Sequence, residues 1–201
     1  MTSTAKLYGL VLSGGKSTRM GTDKGLITYH DSPQRDHLYR LLQQVCEATY
    51  ISVRSDQLPD LPKTMTSITD SDRYKGPYNG LLSAHEAFPD VAWLVLACDL
   101  PLMDVEALEQ LVSERDDSKM ATAFAQREDP LPEPLCAIWE PNALRASMDY
   151  LETGQGSCPR KFLIHNDVKL VFPKNENVLL NANSKEDYNA ALSKMGGSIS
   201  S

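Results

Sequence analysis

Between Leu12 and Gly25 the chain reads L-S-G-G-K-S-T-R-M-G-T-D-K-G, directly after the apolar run Leu7-Tyr8-Gly9-Leu10-Val11-Leu12. An apolar run bounded by glycines predicts a buried strand. Gly14 and Gly15 follow it, and without a Cβ the backbone there can turn tightly and approach a ligand. Arg19 and Lys24 add two fixed cations to the same loop. Amides and cations gathered at a strand's end form a receptor for a polyphosphate. Other glycine loops fit less well. Neither the G-x-G-x-x-G of a dinucleotide fold nor the full G-x-x-x-x-G-K-[ST] of a P-loop occurs.

Asp99 is the second chemical feature. It follows Val91-Ala92-Trp93-Leu94-Val95-Leu96-Ala97, the most apolar run of the chain, and Pro101 stops that run from continuing. In an open α/β sheet, ligands bind beyond the carboxyl ends of the strands. A carboxylate there, facing a phosphate loop, suits Mg²⁺, which takes a few carboxylates together with phosphate oxygens and water. The plainer alternative is a loop Asp close to the helix cap at Asp104.

Leu12-Ser13-Gly14-Gly15, Arg19-Met20-Gly21, Asp23-Lys24-Gly25 and Cys98-Asp99-Leu100-Pro101 resemble the motifs of the nucleotidyltransferases. Within that superfamily they are most similar to the molybdenum cofactor guanylyltransferase family. The resemblance implies a single Rossmann-like α/β domain that transfers GMP from GTP to molybdopterin and releases pyrophosphate. It assigns catalytic roles to Lys24, Arg19 and Asp99, with Asp99 also holding Mg²⁺. It places the nucleotide on Leu12, Ser13, Gly14, Gly15, Lys24, Asp70, Gly80 and Asp99, and the acceptor on Asn181 and Asn183. Transient contact with molybdenum cofactor biosynthesis proteins or acceptor enzymes is a further implied partnership.

The residues themselves narrow some of these roles and leave others open. The carboxylate of Asp70 can accept the N1–H and N2 donors of guanine, or ribose hydroxyls, whereas cytosine offers no matching pair. Gly80, in Gly76-Pro77-Tyr78-Asn79-Gly80, would let a base lie against backbone; the bland alternative is a turn with a solvated Asp. The amides of Asn181 and Asn183 suit a phosphate or pterin, yet Asn183 could equally support a cap at Ser184. Glu133-Pro134-Leu135 and the loop from Gly154 to Arg160 are weaker candidates. Arg160 and Lys161 read either as acceptor-phosphate cations or as a solvated helix face. The Gly14-Gly15 pair favours the guanylyl over the cytidylyl branch. Ser13 replaces the usual alanine, His30-Asp31-Ser32-Pro33 replaces the usual G-x-P, and Arg54-Ser55 stands where many relatives carry asparagine. A relative using CTP or a sugar-phosphate acceptor, and a non-catalytic nucleotide-binding protein on the same fold, remain the alternatives.

The elements that must position these residues alternate between apolar runs and helical patterns, which predicts an α/β domain with a mostly parallel sheet and helices on both faces. Strands are expected at Leu7–Leu12, Tyr50–Val53, Thr66–Ile68, Val91–Ala97, Ala121–Ala125, Leu135–Trp139 and Val168–Phe172, with another strand end at Val178–Leu180. Pro33 opens a helical pattern through Leu38, Leu41, Leu42 and Val45, with Ser32 as its expected cap. Further helices run from Gly76-Pro77 to about Phe88, from a cap at Asp104, and over Asn142–Leu151. Ser184 and Asp187 form the outline of a capping box for a last helix. Residues 55–63 read as loop. The domain is expected to span 1–195, with a disordered tail at 196–201.

Bulk properties act mainly by exclusion. The 201 residues suffice for one domain with a sizeable core, and 41% hydrophobic with 23% charged residues is ordinary globular composition. A net charge of -7 argues against nucleic acid or an acidic membrane as the main partner. No stretch reads as a membrane span or a secretory leader. The four cysteines and four histidines show no ligand or disulfide spacing, so a cytoplasmic protein with free thiols is expected.

Overall fold

The computed structural model describes residues 4–15, 24–154, 156–182, 186–187, 189–190 and 193, with only the backbone of Lys24. The first strand, β1, is the apolar run Leu7–Leu12, and helix α1 spans Gln34–Val45. There follow β2 (Ala48–Val53), β3 (Ser67–Thr69), α2 (Pro77–Ala87), β4 (Ala92–Ala97) and α3 (Val105–Ser113). The second half supplies β5 (Ala121–Phe124), β6 (Cys136–Trp139), α4 (Pro141–Glu152), α5 (Pro159–Ile164) and β7 (Val168–Val171).

These strands form a seven-stranded sheet in the order β3-β2-β1-β4-β6-β5-β7. All pairings are parallel except those of β6, which runs antiparallel to both β4 and β5. Because strand side chains alternate between faces, β4 feeds two cores. Leu94 and Leu96 pack with Leu38, Leu42, Leu108 and Leu111 of α1 and α3. Trp93 and Val95 pack with Tyr78, Leu81, Leu144 and Phe162 of α2, α4 and α5. Every residue of β4 is buried, as expected for a strand covered on both faces.

The sheet order sets the position of the site. From β1 the chain moves outward through β2 and β3, then returns to place β4 on the other side of β1. Such a reversal leaves a crevice beyond the carboxyl ends of β1 and β4, the usual ligand position of an open α/β sheet.

Several local expectations change. Ser32 does not cap α1: Pro33 occupies the N-cap without a side-chain bond, and the Ser32 hydroxyl instead meets the His30 carbonyl at 3.3 Å. The expected cap at Asp104 is present, accepting from the Ala107 N–H at 2.8 Å. Residues expected as loop contain a 3₁₀ turn at Ser55–Asp60, and the loop leading to Arg160 runs into α5. The strand end expected at Val178–Leu180 is a 3₁₀ turn, Glu176–Leu179. Its apolar residues join the core beside α1 and α3 rather than a sheet edge, so burial without strand pairing accounts for the pattern. Gly76-Pro77-Tyr78-Asn79-Gly80 is not a separate turn. Gly76 takes φ +62° at the N-cap, and Pro77 opens α2. Ser184 and the tail 196–201 lie outside the described residues.

Candidate active site

Leu12 and Ala97 are register partners, so Gly14 and Asp99 leave adjacent strand ends two residues further on. The Ser13 N–H donates to the Ser52 carbonyl at 2.9 Å, extending the β1–β2 ladder by one step. Ser13 is buried, and its hydroxyl has no partner among the described residues. Beyond it the strand chemistry ends. Among the described residues, no protein acceptor takes the N–H of Gly14 or Gly15.

The two glycines serve different purposes. A Cβ on Gly14 would sit 2.1 Å from Asp70 Oδ2 and 3.1 Å from Asp70 Cγ. Gly14 is therefore the cradle of the Asp70 carboxylate. A Cβ on Gly15 would meet nothing within 4 Å among the described residues, so no contact with them demands glycine there. Asp70 is delivered by β3, its own N–H bonded to the Val53 carbonyl at 2.8 Å, and the Ser52 hydroxyl donates to its Oδ1. Partial burial pushes the Asp70 carboxyl above its usual range, and the Ser52 bond opposes that rise.

Gly80 has a packing role of its own. A Cβ there would lie 2.2 Å from Ser52 Oγ and 2.8 Å from Leu12 Cδ2, so the missing side chain lets α2 close onto β1 and β2. The space expected for a base at Gly80 is filled by protein atoms. Leu12 contributes to the same contact from its place at the end of β1.

Asp99, half-buried, faces an open cavity of about 590 Å³. The same cavity is lined by Glu133, Arg160 and Asn181, with Ser157 and Cys158 beside them. Glu133 reaches it because β6 runs antiparallel, so the residues preceding Cys136 lie beside the carboxyl end of β4. Arg160 pairs with Glu133 across the cavity wall at 2.5 Å. Burial raises the Glu133 carboxyl, Arg160 lowers it, and the charge of Asp99 raises it further. Cys98 points into the core beside α1 and α3, consistent with packing rather than chemistry.

The Asp99 segment is braced from several sides. Gln34, wholly buried at the start of α1, donates to the Leu100 carbonyl at 2.9 Å, and His30 Nε2 lies 2.7 Å from the Pro101 carbonyl oxygen. The Ala182 N–H donates to the Asp99 carbonyl at 2.9 Å, which brings Asn181 to the cavity. Asn183 and Arg19 lie outside the described residues. Lys24 is described only by its backbone, in the 3₁₀ turn Lys24–Leu26.

The structure adds residues that sequence reasoning did not assign. Arg54 donates to the Gly14 carbonyl at 2.9 Å, and Gln57 Nε2 donates to the Ser13 carbonyl at 3.1 Å. Their partners lie 40 and 44 residues earlier. Only the departure of Arg54 from asparagine pointed toward this region.

Known proteins resemble this arrangement. Residues 9–169 match the family model of the MobA-like NTP transferase domain. A molybdenum cofactor biosynthesis bifunctional protein from Synechocystis is 37% identical over 187 residues, which is 92% of this chain but 54% of that protein. The chain thus spans little more than half of that relative. A molybdenum cofactor guanylyltransferase from Shewanella halifaxensis is 27% identical over 188 residues, covering 91% of this chain and 92% of that one. Among solved structures, a molybdopterin-guanine dinucleotide biosynthesis protein A from Archaeoglobus fulgidus superposes with a TM-score of 0.77 at 19% identity. That alignment covers 94% of this chain and 99% of that chain, and it establishes the shared fold.

Proposed function

The chain belongs to the family of MobA-like NTP transferase domains, and from that membership we propose that it transfers GMP from GTP to molybdopterin. The observation that carries the reading is the convergence at one sheet edge of Gly14-Gly15, Asp70 and Asp99, beside a cavity that also presents Arg160 and Asn181. The names of the Synechocystis and Shewanella relatives support molybdenum cofactor chemistry and, for the latter, the guanylyl group.

In the proposed reaction an oxygen of the acceptor's terminal phosphate attacks the α-phosphorus of GTP. The bond from that phosphorus to the bridging oxygen breaks, and pyrophosphate leaves with the electron pair. No protein nucleophile is required, because positioning and electrostatics dominate such transfers. Gly14 and Gly15 present amides to the phosphates, and Lys24 and Arg19 offset charge as pyrophosphate departs. Asp70 recognises the guanosine portion. Arg160 and Asn181 hold the acceptor in the cavity, and Asn183 joins them in binding it by resemblance to the family motif.

Asp99 would hold Mg²⁺, which supplies charge neutralisation at the reacting phosphates. The donor set suits that ion: the half-buried Asp99 carboxylate lines the cavity, and Glu133 lines it too. Mg²⁺ is bound in this way, through one or two carboxylates plus substrate phosphates, rather than in an all-protein cage.

The test measures Mg²⁺-dependent product formation from molybdopterin with GTP and with CTP. GTP is expected to be the substrate, and Asp99→Ala is expected to lose about 100-fold or more of the rate while staying folded. Preference for CTP overturns the base assignment. Near-normal turnover by folded Asp99→Ala overturns the metal role, and tight GTP binding with no product supports a non-catalytic binding protein.

A further inference from the structure

The phosphate loop is held from behind by one short element that no motif identifies. In the 3₁₀ turn Ser55–Asp60 and its N-cap, Arg54 and Gln57 reach back across the sheet edge. Gln57 is buried, accepts from the Arg54 N–H through Oε1 at 2.9 Å, and donates from Nε2 to the Ser13 carbonyl at 3.1 Å. Arg54 donates from one guanidinium nitrogen to the Gly14 carbonyl at 2.9 Å. Its other two nitrogens are held by Asp56, at 2.9 Å and 3.1 Å. The far end of the turn is anchored by Arg35 of α1, which donates to the Asp60 carbonyl at 2.9 Å.

Consecutive carbonyls of the loop are therefore fixed by side chains from the same turn. A trans peptide is planar, so its C=O and the following N–H point in opposite directions. Holding the Ser13 carbonyl aims the Gly14 N–H, and holding the Gly14 carbonyl aims the Gly15 N–H. Glycine backbone is otherwise free to swing. We infer that Arg54 and Gln57 are positioning residues for nucleotide binding, which aim the Gly14 and Gly15 amides at the phosphates by tying back the preceding carbonyls. The inference rests on the nucleotide-site reading above and adds a device for its pre-organisation. Such a device acts on affinity because the Gly14 and Gly15 amides are oriented before the ligand arrives.

Two substitutions separate positioning from charge. Gln57→Leu alters no charge and removes the donor to Ser13. Arg54→Lys keeps the charge and loses the guanidinium fork, whose fixed geometry an ammonium does not reproduce. The measurements are the Kd for Mg·GTP and the separate KM values for GTP and molybdopterin, with circular dichroism and thermal midpoints to establish folding. Each variant is expected to weaken GTP by about tenfold, the scale of one lost positioning hydrogen bond, with the molybdopterin KM unchanged. Unchanged GTP affinity in both folded variants overturns the inference, as does equal weakening of both substrates. If Gln57→Leu does not fold, Arg54→Lys alone decides, and full GTP affinity there means that charge suffices and positioning fails. Wild-type protein that binds no GTP removes the nucleotide-site reading itself, a result distinct from intact wild-type binding with unaffected variants.

Discussion

At the residue scale, the adjacent glycines Gly14 and Gly15 separate protein packing from ligand binding. A methyl group at Gly14 would fall 2.1 Å from the Asp70 carboxylate, so Gly14→Ala must displace Asp70 or the loop. A methyl group at Gly15 would meet no atom of the described residues within 4 Å, and Gly15 carries no positive φ. Gly15→Ala is therefore expected to leave the thermal midpoint of the free protein unchanged or slightly raised, since Ala restricts the unfolded chain more than Gly. A bound phosphate would nevertheless meet the methyl, and GTP affinity is expected to fall by about tenfold or more. Thermal unfolding with and without GTP reads both effects from one sample. Undiminished stabilisation by GTP in Gly15→Ala would remove Gly15 from the phosphate contact.

At the element scale, a half-buried pair of imidazoles, His30 before α1 and His37 within it, supports the Asp99 segment. His30 and His37 stack with ring centroids 3.8 Å apart, and His30 Nε2 lies 2.7 Å from the Pro101 carbonyl oxygen. Burial, reinforced by the neighbouring His30, lowers the His37 pKa from 6.5 to about 4. The folded protein thus holds this ring neutral while the unfolded chain takes up a proton between those values. Stability from the neutral ring is complete above pH 6.5 and is lost progressively as pH falls toward about 4. Replacing His37 by Gln, neutral throughout, should flatten the fall in thermal midpoint across that window, and parallel curves for both proteins would exclude this role. What was legible in the chain depends on how local each physical signal is. Val91–Ala97 announced a central strand because burial on both faces makes every position apolar, and Asp104 announced its cap through local chemistry. Gln57 gave no such signal: it forms its structural bond with Ser13, 44 residues away. Gly80 suggested a ligand surface because missing side chains look alike in sequence, whether they admit a base or, as here, Ser52 and Leu12.

For the whole molecule, the sheet separates chemistry from support by running its strands between two edges. Gly14, Asp70 and Asp99 all lie beyond carboxyl ends of parallel strands. Glu140 follows the antiparallel β6, whose Trp139 pairs with Trp93 at the start of β4, and so lies at the opposite edge. Six strand residues place these edges roughly 20 Å apart. There Arg115 forms a two-pronged pair with Glu140 at 2.7 Å and 2.8 Å, tying the end of α3 to the N-cap of α4. With side-chain exposures of 11% and 3%, the pair is largely buried. Arg115→Met would strand the Glu140 carboxylate in the interior, a change that typically costs about 3–5 kcal/mol. In a chain of this size, that corresponds to a drop in Tm of roughly 6–20 °C. Adding Glu140→Leu should recover much of the loss, because an apolar pair can replace a buried ion pair when both charges are removed together. Well below the transition, both variants should retain GTP affinity within about twofold, as expected for a distant site that shares no partner with the described part of the phosphate loop. A tenfold loss of affinity in folded Arg115→Met would show that the two edges are coupled through the sheet. The expected outcome is a large change in stability with little change in binding, because the strand ends that carry the chemistry are fixed locally by Gln34, Arg54 and Gln57.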